Sequence, residues 1–156
     1  MTNDNQSHIP PTSTVTGVAV EAGGVLCEVD MRYRAALTVP ANTPESEPVS
    51  TTIKTAPGIV TEVELLFPAG HTGLTHVVIY YHERQIFPTS PEQSFCGDDH
   101  LITFDEQFAI IELPYELVVY GWNDDEFYAH TVYVDLTVRE LYTTQTTETT
   151  YAALPE

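Results

Sequence analysis

Ile59-Val60-Thr61-Glu62-Val63-Glu64-Leu65-Leu66-Phe67 is the stretch that decides how this chain folds. Ile59, Val63, Leu65 and Phe67 fall on one side of an extended backbone, and Glu62 and Glu64 fall on the other. Side chains of a strand alternate between two faces, so the pattern fits a strand with one face in a core and one in water. Pro68-Ala69-Gly70-His71-Thr72-Gly73 ends it. Leu74 to Tyr81 supplies the next strand, with Val77, Ile79 and Tyr81 facing one way.

Further along, Gln85-Ile86-Phe87 is a short strand stopped by Pro88, and residues 88–100 (PTSPEQSFCGDDH) read as a turn-rich loop. Ile102 and Phe104 begin another short strand, while Asp105 to Leu113 reads as irregular or as a brief helical turn. Tyr115 to Trp122 and Tyr128 to Arg139 make the last pair. In the second of these, His130, Val132, Val134, Leu136 and Val138 alternate with Thr131, Tyr133, Asp135 and Thr137. No stretch carries an i, i+3, i+4, i+7 stripe. Short strands separated by Pro and Gly turns predict an all-β chain, an antiparallel β-sandwich. A jelly roll is preferred to an immunoglobulin fold because the Cys-Trp-Cys spacing is missing.

Upstream, Val15, Val18 and Val20 lead to Glu21-Ala22-Gly23-Gly24. Val25, Cys27, Val29, Met31 and Tyr33 then alternate with Leu26, Glu28, Asp30, Arg32 and Arg34. Residues 14–39 therefore read as a hairpin with a glycine turn. Two strands alone are marginal in water, so the hairpin packs on its own sandwich or on a neighbour. Pro40 to Pro48 holds three prolines and reads as a linker. The expected organisation is an N-terminal arm, hairpin and linker over 1–48, a jelly-roll sandwich over 49–139 and an extended Thr-rich tail over 140–156. The tail contains TTQTTETT and no core-forming pattern.

Charge excludes several classes of partner. Twenty-three acids stand against five bases, a formal charge of −18, and Lys54 is the only lysine. Such a surface repels nucleic acid and anionic membrane, so neither is expected as a partner. Self-repulsion opposes compaction at ordinary ionic strength and is screened in concentrated salt. The composition fits a halophilic protein; the plainer reading is solubility through charge. No apolar run is long enough to span a bilayer, and Met1 to Pro11 lacks the apolar core of a secretory signal. Cys27 and Cys96 form no CxxC pair and are expected as two free, half-buried thiols, with a disulfide as the alternative.

No nucleophile elbow, zinc-protease helix or phosphate loop is present, so no catalytic residue and no enzyme activity are expected. Gly70-His71-Thr72-Gly73 lacks a lysine and reads as a turn. His71, His76 and His82-Glu83 lack the ligand spacing of a cupin, and His130 sits on an apolar face as a core or groove histidine does. The carboxylates Asp98, Asp99, Asp124, Asp125 and Glu126 are the candidate metal ligands, suited to Ca²⁺ or Mg²⁺, with turn formation the rival reading. Otherwise no cofactor is expected. Tyr120, Trp122 and Tyr128 are the candidate ligand-binding residues, for a glycan or a protein contact, although core packing explains most such rings.

Three runs are PGIVTEVELLFPAGHTGLTHVVIYYHERQIFPT (57–89), FCGDDHLITF (95–104) and YELVVYGWNDDEFYAHTVYVDLTV (115–138). Within them FPAGHTGL (67–74), QIFPT (85–89), GDDHLITF (97–104) and GWNDDEFYAHTVYVDL (121–136) resemble segments of small jelly-roll virion proteins of tailed viruses. The resemblance implies a capsid decoration or turret protein on the capsid surface. Such a subunit assembles as a homo-oligomer, a trimer or pentamer, and docks on the major capsid protein or another virion protein. Taken with the acidic composition, it points to a virus of a haloarchaeon. The rival from another class is a carbohydrate-binding module for host-surface glycans, and a third is an acidic mimic of nucleic acid.

Overall fold

The computed structural model describes the backbone of residues 19–20 and 24–145 and the side chains of residues 28–140. The expected arm before residue 19 and the tail beyond residue 145 lie outside the described residues, as does the side chain of Cys27. The described residues form ten strands and no helix: β1 (Ala19–Val20), β2 (Gly24–Val39), β3 (Val49–Lys54), β4 (Gly58–Phe67), β5 (Thr75–Tyr81), β6 (Arg84–Phe87), β7 (Phe95–Cys96), β8 (His100–Ile110), β9 (Glu116–Asn123) and β10 (His130–Gln145).

They form two antiparallel sheets, in the order β1-β2-β10-β4-β8 and β3-β9-β5-β6, with β7 also on β5. The neighbours β2·β10, β3·β9, β4·β8 and β5·β6 are nested one inside the next along the chain. That wrapping of a long hairpin over two sheets is the jelly-roll order, and the expectation of an all-β jelly-roll sandwich holds.

Four expectations change. Residues 105–110 are not irregular, because β8 runs through Ile110, and only 111–113 lie outside a strand as expected. Ile102, Phe104, Glu106 and Phe108 are half-buried and Ile110 is buried, while the residues between them are exposed. A glutamate on the inward side of an edge strand hides that period from a hydrophobicity reading. The second change is on β4, where Val60 lies in the core with Val63, Leu65 and Phe67, and Ile59 does not. The pairing with β10 shifts register between Thr137, opposite Glu62, and Val138, opposite Val60, so Thr61 is an extra residue on β4, a bulge that switches every side chain before it to the other face.

The third concerns the boundary at residue 48. One compact unit spans Glu28–Leu141, so part of the expected arm belongs to the sandwich. Leu37 and Val39 of β2 are core residues, whereas Val29 and Met31, on the same side of the strand, are exposed. The hairpin itself forms, with Val20 opposite Gly24. Cys96 is an exposed free thiol rather than a half-buried one.

The core lies between the sheets, built on Phe67, Leu65, Ile79, Ile110, Leu117 and Leu136 with a shell of valines. Each such burial contributes roughly 1.5–3 kcal/mol before the entropy of ordering the chain is set against it. The sheets come close at Gly121 of β9, where a β-carbon would sit 2.8 Å from the Leu37 side chain. Three of the five basic residues are on the outer face of the first sheet. Arg34 (β2) holds Asp135 (β10) through two bonds of 2.7 Å, Arg139 donates to Asp30 at 3.2 Å, and Arg32 pairs with Glu62 and Glu64.

Candidate functional site

Two regions carry the chemistry proposed from the sequence. The first is the end of the sandwich made by residues 40–44, 68–74, 97–99 and 123–130. Asn123, at the end of β9 and 1% exposed, is its hub. Its side-chain amide donates to the carbonyls of Tyr128 at 2.8 Å and Pro40 at 3.2 Å, and its Oδ1 accepts from Asp125 N at 3.0 Å. Asp125 then accepts at Oδ1 from the N–H groups of Phe127 (2.8 Å) and Tyr128 (3.1 Å), and its Oδ2 lies 2.8 Å from His130 Nε2. Two successive turns are thus closed by side chains bonding backbone two residues on, which Asn and Asp do readily. Backbone bonds complete the knot: Asn123 and Thr43 exchange N–H and C=O at 3.0 Å, Asn42 N reaches Asp125 O at 2.7 Å, and Asp124 N reaches Leu74 O at 2.9 Å.

His71 and His130 lie against each other inside this end, with ring centroids 4.5 Å apart and the rings tilted by 33°, and Phe67 meets His71 edge to face. His71 is 2% exposed, and its Nδ1 has no partner. Burial, then the neighbouring His130, pushes the His71 pKa down, so the ring is held neutral. Asp98 accepts from Gly70 N at 2.7 Å, and the N–H groups of Gly70 and Thr72 hold its carboxyl below the usual range. The Phe127 N–H and then His130 do the same for Asp125.

The acidic candidates therefore fall on one end of the sandwich, but not as a metal cage. The Asp98 and Asp125 carboxylates already face backbone N–H groups. Asp99 and Glu126 are exposed, and Asp99 sits at φ 47° in its turn. Asp124 Oδ2 faces His76 Nε2 at 3.4 Å. Among the described residues no group of three or more His, Cys, Asp or Glu side chains is placed to hold a metal ion. His130 is the hydrogen-bonded histidine expected on its apolar face. Asn123 does not stand out in the sequence; the spacing Asn123-x-Asp125-x-Phe127 is the signal that could have found it.

The second region is a groove of about 410 Å³ on the outer face of the second sheet. Alternation along β9 sends Tyr120 and Trp122 outward while Leu117, Val119 and Gly121 point into the core. On β5, His76 is paired with Trp122 and Val78 with Tyr120. The His76 imidazole stacks on the indole at 5.2 Å and 8°, and its Nδ1 meets Ser94 Oγ at 2.9 Å. Tyr80 packs edge-on against Tyr120 at 5.2 Å and 79°. Glu45, Glu83 and Glu92 reach the groove from the loops around it. Tyr120 and Trp122 are thus brought together as the sequence suggested. Tyr128 is not among the groove's residues; it is 69% exposed on the 123–130 loop, beside Phe127 at 80%.

What the fold and these two regions define is a jelly-roll sandwich with an internally bonded loop end and an open aromatic groove. No family model matches the chain, and no curated protein matches it either.

Proposed function

We propose that this protein is a structural subunit of a virion surface, a decoration or turret component that oligomerises and docks on the major capsid protein or another virion protein. One observation carries the reading: Phe127 and Tyr128 are exposed on a loop whose backbone is held by Asp125 and Asn123. Exposed aromatic side chains fixed before binding are what a protein interface uses as anchors, because little freedom is lost when they dock. Further support comes from where the virion-protein resemblance falls. FPAGHTGL, GDDHLITF and GWNDDEFYAH all contribute residues to this loop end, where Asp98 meets Gly70 and His71 meets His130. Asp98 and Asp125 bond the backbone and Asp125 bonds His130, so the reading assigns these groups scaffolding and no catalytic step. Jelly rolls serve capsids and lectins alike, so the fold by itself is support by analogy.

Sedimentation of purified particles tests the proposal. The chain is expected in the particle in a copy number that is a multiple of the capsid vertices or local threefolds, and as a trimer or pentamer by light scattering. A Phe127→Ala/Tyr128→Ala variant that keeps its fold is expected to lose co-sedimentation. Absence of the chain from particles overturns the reading.

A further inference from the structure

We infer that the groove on the outer face of the second sheet is a binding site for an uncharged, hydroxyl-rich oligosaccharide. The inference goes beyond the docking role and uses none of its residues, since Phe127 and Tyr128 are not part of the groove.

A sugar ring presents apolar C–H faces and a polar edge, so its site needs aromatic surface beside hydrogen-bonding groups. The groove supplies both: Tyr80, Tyr120 and Trp122 on its sheet side, and Glu45, Glu83 and Glu92 from the loops. Its volume, about 410 Å³, lies within the ordinary range for small-ligand sites. The rings are positioned in advance. Trp122 lies flat against His76, which Ser94 and Asp124 hold on its two ring nitrogens, and Tyr120 is set against Tyr80. Strands rather than loops carry the three rings, so binding need not order them.

The charge on the groove selects the class of sugar. Ionised carboxylates accept bonds from hydroxyls, and such bonds are stronger than neutral ones. The same three carboxylates repel sulfated, phosphorylated or sialylated chains, and neither arginine nor lysine lines the groove to offset them. Carboxylates beside aromatic rings also attract cations. Acids are abundant across the whole chain, however, so carboxylates beside these rings are not by themselves the mark of a cation site.

Trp122 is the only tryptophan, so its emission reports the groove alone. The full chain in molar NaCl is titrated with neutral gluco-, manno- and galacto-configured hexasaccharides, with a heparin hexasaccharide and with tetramethylammonium. At least one neutral hexasaccharide is expected to change Trp122 emission saturably below about 10 mM, a range that covers millimolar dissociation constants. Tyr120→Ala is expected to weaken that binding about tenfold or more. Should Tyr120→Ala fail to fold, Glu83→Lys at the exposed turn takes its place, with weaker neutral-sugar binding expected at an unchanged melting temperature. Silence from every neutral sugar overturns the inference, as does a response to tetramethylammonium or heparin alone. None of these outcomes bears on the particle test.

Discussion

The loop end and the outer groove are built from similar residue types and do opposite things with them. At the loop end, Asn123, Asp98 and Asp125 turn their polar atoms onto the protein's own backbone, and little is left for a ligand. In the groove, Tyr120, Trp122, Glu45, Glu83 and Glu92 turn theirs outward, over a sheet whose inner face is already full. In a chain with 23 acids, carboxylate density does not locate a site. What locates it is which polar groups have no internal task.

Removing the hub should separate the two regions most sharply. Asn123→Ala leaves several buried or half-buried partners unmatched and is expected to destabilise the protein by about 3 kcal/mol, measured by urea unfolding in molar salt. The groove should keep its ligand response in whatever fraction stays folded. Salt has the next largest effect. Lowering NaCl from about 2 M to about 0.1 M lengthens the screening distance from a few ångströms to about 10 Å, so the melting temperature should fall by several degrees. An unchanged melting temperature would remove the halophilic reading.

Acid should lower stability through His71, Asp98 and Asp125 at the loop end and through Asp135 on the outer face of the first sheet. The folded pKa of His71 lies below its ordinary value near 6.5, so on acidification the unfolded chain takes up the proton first. The stabilisation from keeping this ring neutral is full above about pH 6.5 and declines below it. Asp98, Asp125 and Asp135 have depressed pKa values, so their stabilisation is present above about pH 4 and is lost as pH falls through the folded values. The groups facing His71 are His130, Asp98 and, through His130, Asp125. In molar salt, a melting curve series should show a first decline below about pH 6.5 that His71→Phe removes. At the small end, Glu83→Gln is expected to change stability by less than about 0.5 kcal/mol while weakening sugar binding. A large stability loss there would mean that the groove, too, has structural work.

How far the sequence could be read depended on what occupied the inward positions. Along β10 every inward position from Val132 to Val138 is apolar, and its alternation was plain. Along β8 one inward position is Glu106, and the strand disappeared into an expected irregular stretch. The bulge at Thr61 left no mark in composition, so Ile59 and Val60 exchanged faces unannounced. Tyr120 and Trp122 could be paired because two residues apart on a strand means one face. Their companions Glu45 and Glu92 could not, since loops distant in sequence deliver them. The acids were legible as turn residues or as ligands, and only the positions of the backbone N–H groups decide between the two.

The nested wrapping places β2 and β10 side by side, and their contacts run in opposite directions: Thr38 with Thr131, Arg34 with Asp135, Asp30 with Arg139. The chain consequently enters and leaves the compact unit at neighbouring points. Ladder hydrogen bonds lie across such strands, so a pull applied between residues 28 and 141 loads them one at a time and peels the pair open like a zipper. Tension arriving through both ends should therefore open this sheet at low force, beginning at Asp30 and Arg139 and leaving the β3·β9 and β4·β8 pairs until later.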